Sequence, residues 1–154
     1  MIARLLPFVV AAGVVLLDQL TKWWVVATLP GDPIVVWEGV FQLRYIQNPG
    51  SAFGMFPGAG GFLGVAAVVA AVVIVIVVRR LERPVEKIAM GLVLGGAVGN
   101  LIDRLFRGSD LLDGKVVDWI DFDFFPAFNV ADSAITIGAG LALLVAFVLH
   151  GQEE

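Results

Sequence analysis

"GAGGFLGVAAVVAAVVIVIVV", residues 58–78, has no charged, amide or hydroxyl side chain. An uncharged run near the ~20 residues that cross ~30 Å of hydrocarbon reads as a membrane-spanning helix. The same signal returns in "SAITIGAGLALLVAFVLH", residues 133–150, at the other end of the chain. Working outward, two further segments of similar length, 2–29 and 88–106, carry polar residues inside otherwise apolar sequence. The composition agrees. The 154 residues are 59% hydrophobic and 16% charged, with a mean hydropathy of +0.93, a balance of integral membrane proteins rather than soluble domains. The expectation is an all-α membrane protein with a single domain over 1–154 and spans near 2–29, 58–78, 88–106 and 129–150. The apolar stretch of the first segment is followed by Asp18, Lys22, Trp23 and Trp24 without a small-x-small cleavage site, so the segment reads as an uncleaved span and not as a secretory signal.

Basic residues orient the spans. The link "RRLERPVEK" holds Arg79, Arg80, Arg83 and Lys87, and the positive-inside rule places it and both termini in the cytoplasm. Residues 30–57 and 107–128 then lie outside, the second loop rich in aspartates (110, 113, 118, 121, 123). All four tryptophans (23, 24, 37, 119) fall on that side, as an interfacial aromatic belt requires. A net charge of −4 offers no basic surface for nucleic acid. The absence of cysteine removes disulfides, thiol catalysis and thiolate metal sites, and no cofactor or metal is expected. The single His150 reads as a cation at a helix end.

In the first outer loop "VFQLRYIQ" alternates with a period of two until Ile46 breaks the pattern, which suggests a strand on the membrane surface. The second loop, "DLLDGKVVDWIDFDFFPAF", mixes apolar and acidic residues as a short amphipathic helix or strand would. The fold class is therefore four transmembrane helices with a small extracytoplasmic β element and a short extracytoplasmic amphipathic segment.

Polar groups inside spans are costly, ~2.5–3.5 kcal/mol for a charge at the centre, so they are candidate functional residues. Asp18 and Lys22 are four apart on one helical face, either a self-neutralising pair or a substrate contact. Asn48 in "NPGSAFG" is either a turn starter or a backbone-binding amide. In "GGAVGNLIDR", Gly95, Gly96 and Gly99 permit close helix approach, while Asn100, Asp103 and Arg104 share a face, with Asp103 available to brace Arg104. In "FNVAD", Asn129 and Asp132 have the spacing of an N-cap and a first-turn acid. Yet Asp118, between Val117 and Trp119, is a second carboxylate in an apolar setting at the same face. Two such aspartates suggest a catalytic dyad.

Taken together and in order, "DQLTKW", "NPGSAFG", "GGAVGNLIDR", "VVDW" and "FNVADSAI" resemble lipoprotein signal peptidase, or signal peptidase II. The blocks run from the first span to the last. The resemblance implies an intramembrane aspartic endopeptidase of the bacterial inner membrane that removes the signal peptide from prolipoproteins, cutting before a diacylglyceryl-modified cysteine. It implies Asp118 and Asp132 as the catalytic dyad, and Asn48, Asn100, Arg104, Asn129, Asp18 and Lys22 as residues that shape and orient the site. Prolipoproteins and membrane lipids would be the partners of a monomeric enzyme with its active site at the outer face. The connection from Arg104 to Asp118 is long for this pattern and that from Asp118 to "FNVAD" is short. Two rival readings carry less of the sequence: a serine–lysine peptidase using Ser51 and Lys22, and a proton-coupled transporter using the buried acids.

Overall fold

A computed structural model describes residues 2–50, 60–109 and 111–150. Ser51, Gly54 and Asp110 lie outside the described residues, as does the His150 side chain. Four helices, α1 (Ile2–Thr28), α2 (Gly60–Val78), α3 (Pro84–Phe106) and α4 (Val130–His150), are long and apolar enough to cross a membrane. Four strands, β1 (Ile34–Trp37), β2 (Phe41–Asn48), β3 (Val116–Phe122) and β4 (Phe125–Phe128), form one antiparallel sheet in the order β1-β2-β3-β4.

The β-branched sequence of α2 would suit a strand in water. In hydrocarbon each backbone group must find its partner within the segment, and a helix is the solution for a single apolar run. Its valines face outward almost all round, with Val65, Val69, Val72 and Val73 exposed. A narrow stripe around Ile74 packs with Ala11 of α1 and Leu94 of α3.

α3 is the axis of the bundle because its small residues admit backbone from both sides. A Cβ on Gly95 would meet Ala11 and Val14 of α1, and one on Gly96 would meet the Ala131 carbonyl and Ile135 of α4. The reciprocal notch on α4 is Gly138, seated against Ala89, Leu92 and Val93. The sequence placed the start of this helix at 88. It begins instead at Pro84, with Arg83 extended at the N-cap and Glu86 in the first turn. Proline at the first helical position forfeits no hydrogen bond, which extends the helix into what reads as a basic link. Lys87 is accordingly a buried helical residue.

The sheet caps the end of the bundle where α1 and α3 finish and α4 starts. Val117 of β3 is fully buried with Val25 and Leu29 of α1, and Leu43, Tyr45 and Trp119 pack around them. The strand expected from the period-two pattern is β2, and Ile46 marks a real irregularity. Leu43 pairs with Ile120 and Ile46 with Asp118, so β2 advances one residue more than β3. Such a bulge shifts the alternation by one and sharpens the twist, after which Asn48 lies opposite Val116. The undecided amphipathic segment is β3 and β4, joined by a turn at Asp123 and Phe124. The short Asp118-to-"FNVAD" stretch is thus a tight hairpin. The two expected loop elements are halves of one sheet, stitched by the stack of Phe122 on Phe41 (4.6 Å) and on Phe128.

Candidate active site

Asn129 ends the hairpin and caps α4. Its side-chain oxygen accepts from the Asp132 amide (2.9 Å), and its own amide donates to Asp132 Oδ2 (3.2 Å). This reciprocal pair satisfies two helix-end donors, as a capping box does. The helix-start reading of Asn129 and Asp132 therefore holds. It is only part of their work, because Asn129 Nδ2 also donates to Asp118 Oδ1 at 2.7 Å. One fully buried asparagine thus touches both aspartates.

Each carboxylate has a second amide partner from another element. Asn48 Nδ2, at the end of β2, donates to Asp118 Oδ2 (3.0 Å), while its oxygen accepts from the Gly50 amide in a tight turn. Asn100 Nδ2, from α3, donates to Asp132 Oδ1 (2.8 Å). Asp118 is 2% exposed and Asp132 half-buried. Burial pushes the Asp118 carboxyl up to about 7, opposed by the Asn48 hydrogen bond, reinforced by the negative Asp132, and opposed again by Asn129 and Lys22.

Beneath this layer lies an ionic cluster. Lys22 Nζ is fully buried and contacts Asp18 Oδ2 (2.8 Å), Asp103 Oδ2 (2.9 Å) and Asn100 Oδ1 (2.9 Å). The i,i+4 pair expected on α1 is present, joined by a third charge. Asp18 Oδ1 accepts from the Ala131 amide in the first turn of α4, and Asp103 Oδ2 accepts from the Val117 amide beside Asp118. The cluster thus ties α1 and α3 to the backbone on which each aspartate stands. Asp103 makes no direct ion pair with Arg104, the brace that the sequence suggested: its other oxygen pairs with Arg107 (2.9 Å). Side chains four apart on a helix lie on one face, whereas adjacent ones diverge.

Arg104 is buried, and its Nη1 has no hydrogen-bond partner among the described residues. The negative groups that bear on it are Asp118, Asp103 and Asp132, so this cation overlooks both carboxylates. All eight sequence-predicted residues meet in one region. Asp103, read in the sequence as part of one cluster with Asn100 and Arg104, meets Asn100 at Lys22, whereas Gln19, whose amide reaches Asp18 and the Gly99 carbonyl, was not singled out in the sequence. Gln19 carried no signal beyond its place beside Asp18. A cleft of about 800 Å³ opens beside Asp118, walled by Ile46, Pro49, Phe122, Phe125 and Pro126 with Arg44 at its rim. No group of residues suited to hold a metal ion occurs among the described residues.

Four apolar helices with a polar site at one end define a membrane enzyme, and the fold has solved counterparts of that kind. A structure described as a bacterial membrane enzyme, determined by the in meso method at 2.3 Å, superposes with a TM-score of 0.83 at 28% identity, covering 96% of this chain and 91% of that one. The family described as Signal peptidase (SPase) II matches residues 10–148. The lipoprotein signal peptidase of Rhodococcus jostii is 44% identical over 97% of this chain and 75% of its own length. That of Shouchella clausii is 42% identical over 97% of each. The chain belongs to the signal peptidase II family and is a multi-pass membrane peptidase.

Proposed function

We propose that this chain is an aspartic endopeptidase that removes the signal peptide from prolipoproteins, cutting before a diacylglyceryl-modified cysteine, with Asp118 and Asp132 as its catalytic pair. The observation that carries the reading is the bridge through Asn129, which holds two carboxylates together in a poorly hydrated pocket. Two acids so placed cannot both ionise cheaply, so the pair retains one proton. Its apparent pKa values belong to the pair. With its carboxyl pushed up to about 7, Asp118 is the member to which we assign that proton.

The ionised Asp132 takes a proton from water as the water oxygen bonds to the scissile carbonyl carbon. Asp118 gives its proton to the carbonyl oxygen, forming a gem-diol. On collapse the diol returns a proton to Asp118, the C–N bond breaks, and Asp132 passes its proton to the departing amine. The pair is restored. Asn48, Asn100 and Asn129 keep each carboxyl oriented, and Arg104, with a buried donor to spare, holds the peptide backbone of the substrate. Asp18 and Lys22 keep α1 and α4 in place beneath the site.

The basic residues at 79, 80 and 83 support a cytoplasmic α2–α3 link and cytoplasmic termini. The sheet and the catalytic pair then lie at the outer face of the bacterial inner membrane. A scissile bond must be held at that depth, and a signal helix alone can slide along the bilayer normal. Acyl chains oppose sliding, each buried methylene contributing ~0.8 kcal/mol, and two chains anchor far more firmly than one. A diacylglyceryl group after the cut therefore sets depth and register for an enzyme with little soluble mass.

The test is a gel-shift cleavage assay with purified protein and one precursor in lipidated and unlipidated forms. The lipidated form should be cut and the unlipidated one barely, and Asp118→Asn and Asp132→Asn should each abolish turnover while remaining folded. Substantial turnover by either variant would falsify the pair, and equal cleavage of the two precursors would remove the lipid's role. For the orientation, cysteines introduced at 82 and 113 should label from inside and outside respectively in intact cells.

A further inference from the structure

At the end of the bundle away from the aspartates, a pocket of about 960 Å³ lies between the start of α1 and the α2–α3 link. Its charged lining is Arg4, Arg79, Arg80 and Lys87 against a single acid, Glu82. The excess positive charge is not consumed internally. Lys87 is 8% exposed, and its side chain has no hydrogen bond or ion pair among the described residues. An unpaired ammonium on a mostly buried stem, presented to a cavity beside Arg4, Arg79 and Arg80, attracts an anion.

The rest of the lining is apolar, and one of its residues, Phe8, also lines a second cavity of about 520 Å³. That cavity is a groove walled by Ala12 and Val15 of α1, Ala71 and Val75 of α2, and Leu94 of α3. It exists because α1 and α2 both lean on α3 and meet each other little, near Ala11 and Ile74. A basic mouth at the end of the apolar helices, continuous with an apolar seam running into the bundle, has the polarity of one amphiphile. Free phosphate would satisfy the mouth and leave the seam empty. A zwitterionic lipid would bring its own cation into a pocket that already has a surplus.

We propose that this pocket binds the phosphate headgroup of an anionic diacyl phospholipid, with one acyl chain laid along the seam between α1 and α2. Basic pockets between helices at a membrane surface recognise such headgroups, each cation adding attraction there. The ligand is a resident lipid, distinct from any substrate and remote from the catalytic pair.

Native mass spectrometry of the full-length protein in detergent tests this, with dioleoyl phosphatidylglycerol and dioleoyl phosphatidylcholine added in equal amounts. The first bound lipid should be phosphatidylglycerol by roughly tenfold, since several cations face it. Arg80 is exposed, so Arg80→Gln should keep the fold and lower that preference roughly fivefold. The triple change Arg79→Gln, Arg80→Gln, Lys87→Gln should abolish it. Ala12→Phe, which fills the seam, should weaken retention of both long-chain lipids, and a dihexanoyl phosphatidylglycerol should bind less well than the dioleoyl form. Equal retention of the two lipids, or a preference indifferent to Arg80→Gln, overturns the proposal. So does displacement of phosphatidylglycerol by inorganic phosphate at comparable concentration, which would make the pocket a phosphate site.

Discussion

Replacing Lys22 by methionine isolates what the buried ionic cluster does. The side chain is shorter only by the ammonium itself, and its apolar stem still fills the space in α1. What is lost is one positive charge with contacts of 2.8 Å to Asp18 and 2.9 Å to Asp103 and Asn100. Both carboxylates are fully buried. Asp103 keeps Arg107 at 2.9 Å, whereas Asp18 is left with amide donors alone, from Ala131 and Gln19. Removing one partner of a buried ion pair costs about 3–5 kcal/mol, because the remaining charge is desolvated without compensation. For a chain of this size each kcal/mol lowers the melting temperature by about 2–4 °C, so Lys22→Met should melt about 6–20 °C below the wild type. The companion Lys22→Met with Asp18→Asn removes the stranded charge as well and should recover about 2 kcal/mol of the loss. Thermal unfolding in detergent, followed by intrinsic tryptophan fluorescence, reads all four corners of the cycle. A loss below about 2 °C in the single variant, or strictly additive effects in the double, would refute the claim that Lys22 is there to neutralise its neighbours.

Three further outcomes follow from the geometry. Asp118 binds its proton up to about 7 in the folded protein and only to about 3.8 when solvated, so between those values the folded state holds more protons and stability falls as pH rises. Asp118→Asn should therefore melt above the wild type at about pH 8, with an advantage that shrinks toward about pH 5; an advantage independent of pH would show that the carboxyl is not strained. Asn48→Ala removes a hydrogen bond that favours the anion, which moves the Asp118 carboxyl further up, and the alkaline limb of the cleavage profile should shift to higher pH; a shift to lower pH contradicts the assignment of the proton. Gly96→Ala would press a methyl into the Ala131 carbonyl, costing about 1–3 kcal/mol and slowing cleavage by displacing Asp132, whereas Gly13→Ala, with open space around it, should be neutral or stabilise by up to about 1 kcal/mol.

The four helices were legible in the sequence because a bilayer imposes a one-dimensional constraint. A run such as 58–78 needs no knowledge of its neighbours to be recognised, since length and hydropathy alone satisfy the membrane. The same constraint exposed the polar residues: Asp18, Lys22, Asn100 and Asp132 stand out because hydrocarbon makes each of them expensive. Proline chemistry was local too, but it competed with the basic run around it, and the start of α3 was placed four residues late. What the tertiary structure alone decided is pairing across long separations. The sheet joins Asn48 to Val116 and Ile46 to Asp118, and nothing near either strand announces the other. Asp103 turned from its neighbour Arg104 to Lys22, on another helix. Asn129 carries the clearest division. Its spacing from Asp132 made a helix cap readable from five residues, since capping is local backbone chemistry. That the same amide would reach Asp118 and join the two acids depended on where the β3–β4 hairpin returned the chain, a matter of packing among α1, α3 and the sheet.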